Sequence, residues 1–209
     1  FRIKKLQWEK FINFHTIFVC VMKEKIKSAV EAYNKIARIY AEHTFDRLFQ
    51  FQLNKFISML PKNGYVLDAG CGSGRDTAYF NEEGLKAIGI DESDAMLEEA
   101  KKRVDNGNFK KMNILKLEFK DQIFDGVWCM ATLADIPKSE SSKLLKKFNQ
   151  ALKKEGIIYI AVKEGEGEQL IEKERYENSP RFYALYKKEE LETLLKESRF
   201  EIIESTVSN

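Results

Sequence analysis

The stretch VLDAGCGSGRD, residues 66–76, places three glycines at alternate positions directly after a short apolar run. Glycine weakens both strands and helices, because it loses more conformational freedom on folding than any other residue. Such a cluster is therefore expected where the backbone turns sharply or must approach a ligand closely. The apolar run predicts a buried strand, and residues 75–83 predict a helix that ends at Gly84.

Strand-like and helix-like segments alternate along the chain on both sides of this stretch. Apolar residues at helical spacing predict helices over residues 23–42, 48–60, 93–104, 139–154 and 187–198. Short apolar runs predict six strands, over residues 65–70, 86–91, 108–114, 124–131, 156–163 and 200–208. This order predicts an α/β fold, a doubly wound and mostly parallel sheet with helices on both faces.

The composition is that of a soluble globular domain. Of the 209 residues, 44% are hydrophobic and 33% are charged, and one α/β domain is the expected size. The 35 basic and 33 acidic residues nearly balance, so the sequence gives no electrostatic case for a nucleic-acid partner. Three cysteines without paired spacing indicate neither disulfides nor a metal site, which fits a reducing cytoplasm.

The first residues differ from the rest of the chain. A basic segment is followed by an apolar run of about eleven residues, which is too short to span a bilayer that needs about 20. Met22 opens a stretch that reads as a soluble N-terminus. We therefore expect residues 1–21 to be an N-terminal extension outside the native domain and residues 22–209 to form that domain, with no membrane partner. A signal or anchor in residues 1–21 is the weaker alternative.

An acidic residue accompanies the glycines, and another ends the second predicted strand. In doubly wound sheets ligands bind beyond the carboxyl ends of the strands, where an acid can accept hydrogen bonds from ribose hydroxyls. Asp91 holds that position at the second strand. Asp68 lies just ahead of the glycines, where a carboxylate would repel a pyrophosphate but suit an ammonium group. The ligand indicated has a ribose and an amino-acid end, as S-adenosylmethionine does.

The spacing of the glycines argues against a dinucleotide. Dinucleotide loops follow the pattern G-x-G-x-x-G, in which the pyrophosphate lies on a helix N-terminus. Here the glycines are Gly70, Gly72 and Gly74, and Arg75 occupies the place of the last glycine in that pattern. A nicotinamide-dependent oxidoreductase therefore remains the weaker alternative.

Several stretches resemble the motifs of class I S-adenosylmethionine-dependent methyltransferases of the small, single-domain bacterial and archaeal kind. VLDAGCGSG matches the family's first motif, D/E-x-G-x-G-x-G, and GIDESDAML resembles the second. KMNI resembles the third motif, and FDGVWCMATLADIP resembles the motif of the fourth strand. The resemblance runs from about Tyr33 to Val207 and implies a Rossmann-like fold with S-adenosylmethionine as cofactor.

The resemblance also implies roles for individual residues. Asp91 would hold the ribose, and Met96 would lie against the adenine. The third motif usually has an aspartate where this chain has Asn113, whose carbonyl is able to accept from the adenine amino group. The cofactor-binding residues expected are Tyr33, Tyr40, Asp68, Gly70, Cys71, Gly72, Arg75, Asp91, Glu92, Met96, Asn113, Ile114 and Met130.

The methyl acceptor is expected above the carboxyl ends of strands four and five. Relatives are expected to carry a histidine near position 135, and this chain has Asp135. The candidate acceptor-binding residues are Asp135, Lys163, Glu164, Arg181 and Tyr183. The function implied is methyl transfer to an unidentified, small-molecule acceptor. A non-catalytic module that binds the cofactor is the other alternative.

The family resemblance also sets an expectation for the end of the chain. Members close the sheet with a sixth strand and an antiparallel seventh, which inserts between strands five and six. Residues 200–208 supply the sixth, and the chain stops at Asn209 with no apolar run for another strand. Six strands are therefore expected in the main sheet, with the seventh missing.

Overall fold

The computed structural model describes residues 29–172, 174–176 and 178–207. The extension expected at residues 1–21 lies outside them. Helix α1 covers residues 29–44. The further helices are α2 (Gln50–Ser58), α3 (Arg75–Glu82), α4 (Asp94–Arg103), α5 (Lys138–Ala151) and α6 (Lys188–Glu197), and the strands are β1 (Tyr65–Ala69), β2 (Lys86–Asp91), β3 (Phe109–Lys111), β4 (Phe124–Met130), β5 (Leu152–Ala161), β6 (Glu168–Ile171) and β7 (Arg181–Ala184).

Strand β1, which carries the apolar run before the glycines, lies in the middle of the main sheet. Five parallel strands follow the order β3-β2-β1-β4-β5. On β1, Val66 pairs with Ala87 of β2 on one side and with Gly126 of β4 on the other. The strand order reverses at β1, which makes its carboxyl end the switch point where open α/β sheets bind ligands. The structure confirms the predicted α/β fold with a parallel sheet.

Successive residues of β1 enter two different cores, as a strand buried on both faces requires. Leu67 belongs to the larger core, which includes Leu144 and Phe148 of α5. Val66 belongs to the core on the opposite face, where Phe56 of α2 packs. Helices therefore cover both faces of the sheet, and the glycine stretch is held at the rim between the two layers.

The expected sixth strand is the main difference from the sequence prediction. Residues 200–207 form no strand, and the main sheet has five strands. Among the described residues, β5 pairs only with β4. Phe200 packs against the larger core, whereas Ile203 is 68% exposed. A short apolar run forms a strand only where it finds a hydrogen-bonding neighbour, and this one pairs with no strand of the described chain.

Two smaller differences concern the segments around β5. The helix predicted to reach residue 154 ends at Ala151, because Leu152 already pairs with Phe124 of β4. In addition, β6 and β7 form a separate antiparallel hairpin that periodicity did not predict. Arg181 through Tyr186 are all buried in or just after β7. The hairpin places two of the candidate acceptor residues, Arg181 and Tyr183, in the interior.

An aromatic cluster around Trp128 stabilises the face of the sheet beside α2 and α3. The indole is fully buried and stacks on Tyr159, with ring centroids 4.0 Å apart. Phe56 and Phe80 contact it at centroid distances of 5.2 Å and 5.6 Å. Its Nε1 donates to Oδ2 of Asp76 at 2.8 Å, so the buried polar atom is also satisfied.

Truncating Trp128 should therefore be costly. We expect Trp128→Ala to lower the free energy of unfolding by about 3–5 kcal/mol, the range found for large aromatic deletions in cores. Urea unfolding followed by circular dichroism measures the loss. Phe51→Ala is the control, because Phe51 is 73% exposed and its truncation should cost little. Equal losses in the two variants would contradict the assignment of Trp128 to the core.

Candidate active site

The glycine loop between β1 and α3 forms the floor of the site. Gly70 and Gly72 have φ angles of +79° and +53°, in the region that favours glycine. A Cβ on Gly70 would lie 2.2 Å from Oγ1 of Thr132, so only glycine fits between β1 and the segment after β4. A Cβ on Gly72 would meet nothing within 4 Å. The loop is therefore tightly packed at Gly70 and open at Gly72.

Asp91, at the end of β2, connects this loop to the neighbouring strand. Its Oδ2 accepts from the Gly72 N–H and its Oδ1 from the Ser93 N–H, both at 2.9 Å. Burial raises the pKa of Asp91 above its ordinary value, and these backbone donors oppose that rise. The carboxylate is thus held in one orientation at the rim of the sheet, where it still borders open space.

Helix α1 is fixed above the same strand end by a short hydrogen-bond chain. Ser93 caps α4 by accepting from the Met96 N–H at 3.2 Å. The Ser93 hydroxyl donates to Oδ1 of Asn34 on α1 at 2.6 Å. The role of Asn34 was not predicted, because nothing in its local sequence indicates a partner 59 residues away.

A cavity opens between the glycine loop, the end of β2 and α1. Its empty volume is about 770 Å³, including the part open to solvent. The lining residues are Ala29, Val30, Tyr33, Tyr40, Gly70, Gly72, Ile90, Asp91, Glu92, Ser93, Met96, Met112, Ile114, Met130, Ala131, Thr132, Asp135 and Ile136. The position is the one expected for a ligand in a doubly wound sheet.

Most residues chosen from the sequence meet in this cavity. Those that line it are Tyr33, Tyr40, Gly70, Gly72, Asp91, Glu92, Met96, Ile114, Met130 and Asp135. The residues that sequence reasoning missed lie mostly on α1 and in the turn after β4. Ala131 there has a φ of +62°, a conformation that no local sequence pattern announces. Apolar residues such as Ala29 and Met112 carry no signal that separates a lining position from a core position.

Asp68 and Arg75 lie behind the cavity wall and have protein partners. Asp68 is buried and accepts from the Thr77 hydroxyl at 2.6 Å. Burial, with the charge of Asp76 nearby, raises the pKa of Asp68 to about 8. The Arg75 guanidinium is paired with Asp76, with Nε 2.6 Å from Oδ1. Neither lines the cavity in this state, so their cofactor roles stay predictions.

Cys71 and Asn113 also lie beside the cavity lining. Asn113 accepts from the Leu115 N–H at 2.8 Å and donates to Oε1 of Glu92 at 2.9 Å. It therefore fixes Glu92, which does line the cavity. Burial raises the pKa of the Cys71 thiol well above its ordinary value, which makes it a poor nucleophile.

The end of the cavity beside Asp135 is built from charged and aromatic side chains. The Tyr33 hydroxyl donates to Oδ2 of Asp135 at 3.0 Å and accepts from the Arg181 guanidinium. Arg181 is buried, and its guanidinium carbon lies 4.5 Å from the Tyr33 ring centre and 5.0 Å from that of Tyr183. Burial raises the pKa of Asp135 to about 7, although Arg181 and Tyr33 both oppose the rise.

The other two acceptor candidates, Lys163 and Glu164, lie outside this group. Both are exposed in the segment after β5, and neither lines the cavity. The Lys163 ammonium lies 5.8 Å from the ring centre of Tyr183. Their place in the site stays a prediction.

The described residues contain neither a group of side chains suited to a metal ion nor a helix suited to cross a membrane. Between residues 29 and 207, apart from the positions that the structure leaves out, no three His, Cys, Asp or Glu side chains form a group able to hold a metal ion. Across the same part of the chain, no helix combines the length and apolar character needed to cross a membrane.

Comparison with known proteins agrees with the fold and with the position of the cavity. Residues 66–156 match the family model described as a methyltransferase domain. The chain is 37% identical over 97 residues to a demethylmenaquinone methyltransferase of Symbiobacterium thermophilum, covering 39% of this chain and 38% of that protein. It is 31% identical over 103 residues to a trans-aconitate 2-methyltransferase of Variovorax paradoxus, covering 48% and 39% respectively.

The chain spans about two fifths of the length of these curated relatives. Among solved structures, an S-adenosylmethionine-dependent methyltransferase from Methanosarcina mazei superposes with a TM-score of 0.64. The two share 22% identity over 70% of this chain and 84% of that one, which shows a common fold. With the glycine loop, the acid ending β2 and the parallel sheet, these matches show a methyltransferase domain over residues 66–156 on a Rossmann-like fold.

Proposed function

We propose that this protein binds S-adenosylmethionine in the cavity above β1 and β2 and transfers its methyl group to a small-molecule acceptor beside Asp135. The single observation that carries the proposal is the position of the Asp91 carboxylate. It borders the cavity while two backbone N–H groups hold it still. A fixed acceptor at the end of the second strand suits the paired hydroxyls of a ribose.

The remaining lining fits the other parts of the cofactor. Met96 and Ile114 offer apolar surface near Glu92, where an adenine would lie. Gly72 leaves the space between Asp91 and the loop open, so a ligand is able to approach the backbone closely. Met130 and Asp135 then border the part of the cavity where the methyl group and acceptor would meet.

Methyl transfer from S-adenosylmethionine needs few catalytic groups from the protein. A sulfonium is already an activated methyl donor, so alignment of acceptor, methyl and sulfur is the main requirement. Such positioning supplies roughly 7–11 kcal/mol of a reaction barrier. A dehydrogenase is disfavoured, because Arg75 stands where a dinucleotide loop needs glycine and its guanidinium is paired with Asp76.

Asp91→Ala tests the cofactor site. Hydrogen bonds to a charged group contribute roughly 1.5–3 kcal/mol, so the variant should bind S-adenosylhomocysteine at least tenfold more weakly. Isothermal titration calorimetry measures the affinity for S-adenosylhomocysteine, and a separate titration with NAD tests the dinucleotide alternative. Asp105→Ala is a matched control, because Asp105 is exposed in the turn after α4. Unchanged affinity in Asp91→Ala, or binding of NAD instead, would refute the proposal.

Gly72→Val tests whether the loop approaches the cofactor closely. The added side chain would enter the cavity and should abolish detectable cofactor binding. Valine at a positive φ also strains the backbone, so Gly84→Val is the control: Gly84 has a φ of +79° and equally open surroundings, away from the cavity. Thermal melting measures how far the strained backbone lowers the stability of each variant. Binding lost in both variants alike would show that strain, and not occupation of the cavity, is the cause.

A further inference from the structure

Among the described residues, the cavity has acidic side chains in its lining but no cationic one. Its charged lining residues are Asp91, Glu92 and Asp135, and no lysine, arginine or histidine of the described chain lines it. Arg181 is near, but it lies behind Tyr33 and does not reach the cavity lining. An acceptor that brought its own negative charge would therefore meet Asp135 without a cation beside it.

Asp135 has one oxygen engaged and one available. Oδ2 accepts from the Tyr33 hydroxyl at 3.0 Å, and no hydrogen bond of the described residues reaches Oδ1. The residue is half-buried and borders the open cavity. A carboxylate oxygen accepts hydrogen bonds only, so its natural partner there is a group that carries a proton.

Tyr33 and Arg181 hold Asp135 in place, and both favour its charged form against the opposing effect of burial. Burial raises the pKa of the Tyr33 phenol well above its ordinary value, so the phenol keeps the proton that it donates. Arg181 donates to the same phenol oxygen from the other side. Four rings surround the guanidinium at 4.5 to 5.6 Å, those of Tyr33, Tyr40, Tyr176 and Tyr183. The chain Arg181–Tyr33–Asp135 is thus a preorganised support for one carboxylate.

We propose that Asp135 is the catalytic residue that contacts the methyl acceptor, and that the acceptor presents an uncharged, proton-bearing nitrogen or oxygen, an amine or a hydroxyl rather than a carboxylate. Tyr33 and Arg181 act as positioning residues for it. The inference rests on the proposed function and specifies the acceptor class for the same site.

The reaction balances without any further reactant. The lone pair of the acceptor nitrogen or oxygen forms a bond to the methyl carbon while the carbon–sulfur bond breaks and its electron pair stays on sulfur. The acceptor proton passes to Oδ1 of Asp135, and from there to solvent. The products are the methylated acceptor, neutral S-adenosylhomocysteine and the protonated carboxyl, whose proton loss restores the enzyme.

The first test uses the full chain, labelled S-adenosylmethionine and a panel of small amines, phenols and carboxylates. We expect transfer to amines or phenols only, and a rate at least a hundredfold lower in Asp135→Asn, as for loss of a general base. Calorimetry with S-adenosylhomocysteine should give the same affinity within twofold for both proteins. Asp121→Asn, an exposed substitution of the same type, is the control.

The outcomes separate the two proposals. Wild-type protein that fails to bind S-adenosylhomocysteine rejects the proposed function itself. Normal cofactor binding with transfer to carboxylates, with no transfer to any amine or phenol, or with full activity in Asp135→Asn rejects the acceptor assignment alone.

The pH dependence of activity distinguishes a catalytic Asp135 from a residue with a purely structural role. Activity should rise with pH as Asp135 loses its proton, with a midpoint near its pKa of about 7. Tyr33→Phe removes a hydrogen bond that favours the carboxylate, so the midpoint should move to higher pH. If the midpoint of the pH profile is unchanged in Tyr33→Phe, the Tyr33 hydroxyl does not favour the Asp135 carboxylate as proposed. The ionisable groups around Asp135 are Tyr33 and Tyr40 on α1, Cys129 on β4, Arg181 and Tyr183 on β7, and Asp91 on β2.

Discussion

The hydrogen bonds from the Gly72 and Ser93 N–H groups to Asp91 connect the elements that make the site. Gly72 belongs to the loop after β1, and Ser93 begins the turn into α4. The same serine reaches Asn34 on α1. One carboxylate thus sets the loop, the second strand and the helix that covers the cavity relative to one another. Because a carboxylate removed from solvent needs hydrogen-bond donors, its charge holds the loop against the end of β2, and the Ser93 hydroxyl then holds α1 to the same turn.

A second charge requirement operates at the other end of the cavity. Arg181 is buried, its Nε has no hydrogen-bond partner among the described residues, and four tyrosine rings surround its guanidinium. An isolated buried cation would be very costly, so the negative charge of Asp135, linked through Tyr33, compensates it. Helix α1 contributes Tyr33 and the hairpin contributes Arg181. The acceptor end therefore exists only when α1, β7 and the turn after β4 are all in place.

Much of the fold followed from local pattern because each element satisfies a local rule. Val66, Leu67 and Ala69 are apolar and buried, as the residues of a central parallel strand are expected to be. Residues 200–207 were wrongly predicted as part of a strand from their short apolar run, since a strand also requires a hydrogen-bonding neighbour, which a one-dimensional pattern does not show. The β6–β7 hairpin was missed because its two strands have four residues each and do not alternate regularly between apolar and polar residues.

The sequence by itself determined the glycine loop, the acid at the end of β2 and their spacing, because a turn at positive φ and a strand end are set by neighbouring residues. It also named Tyr33, Asp135, Arg181 and Tyr183 separately. Only the tertiary structure decided that they form one hydrogen-bonded and aromatic group, since Tyr33 and Arg181 are 148 residues apart. It likewise decided that Asp68 and Arg75 bond to Thr77 and Asp76 and not to the open cavity. Side chains from distant segments meet only when burial of the two cores fixes the helices against the sheet.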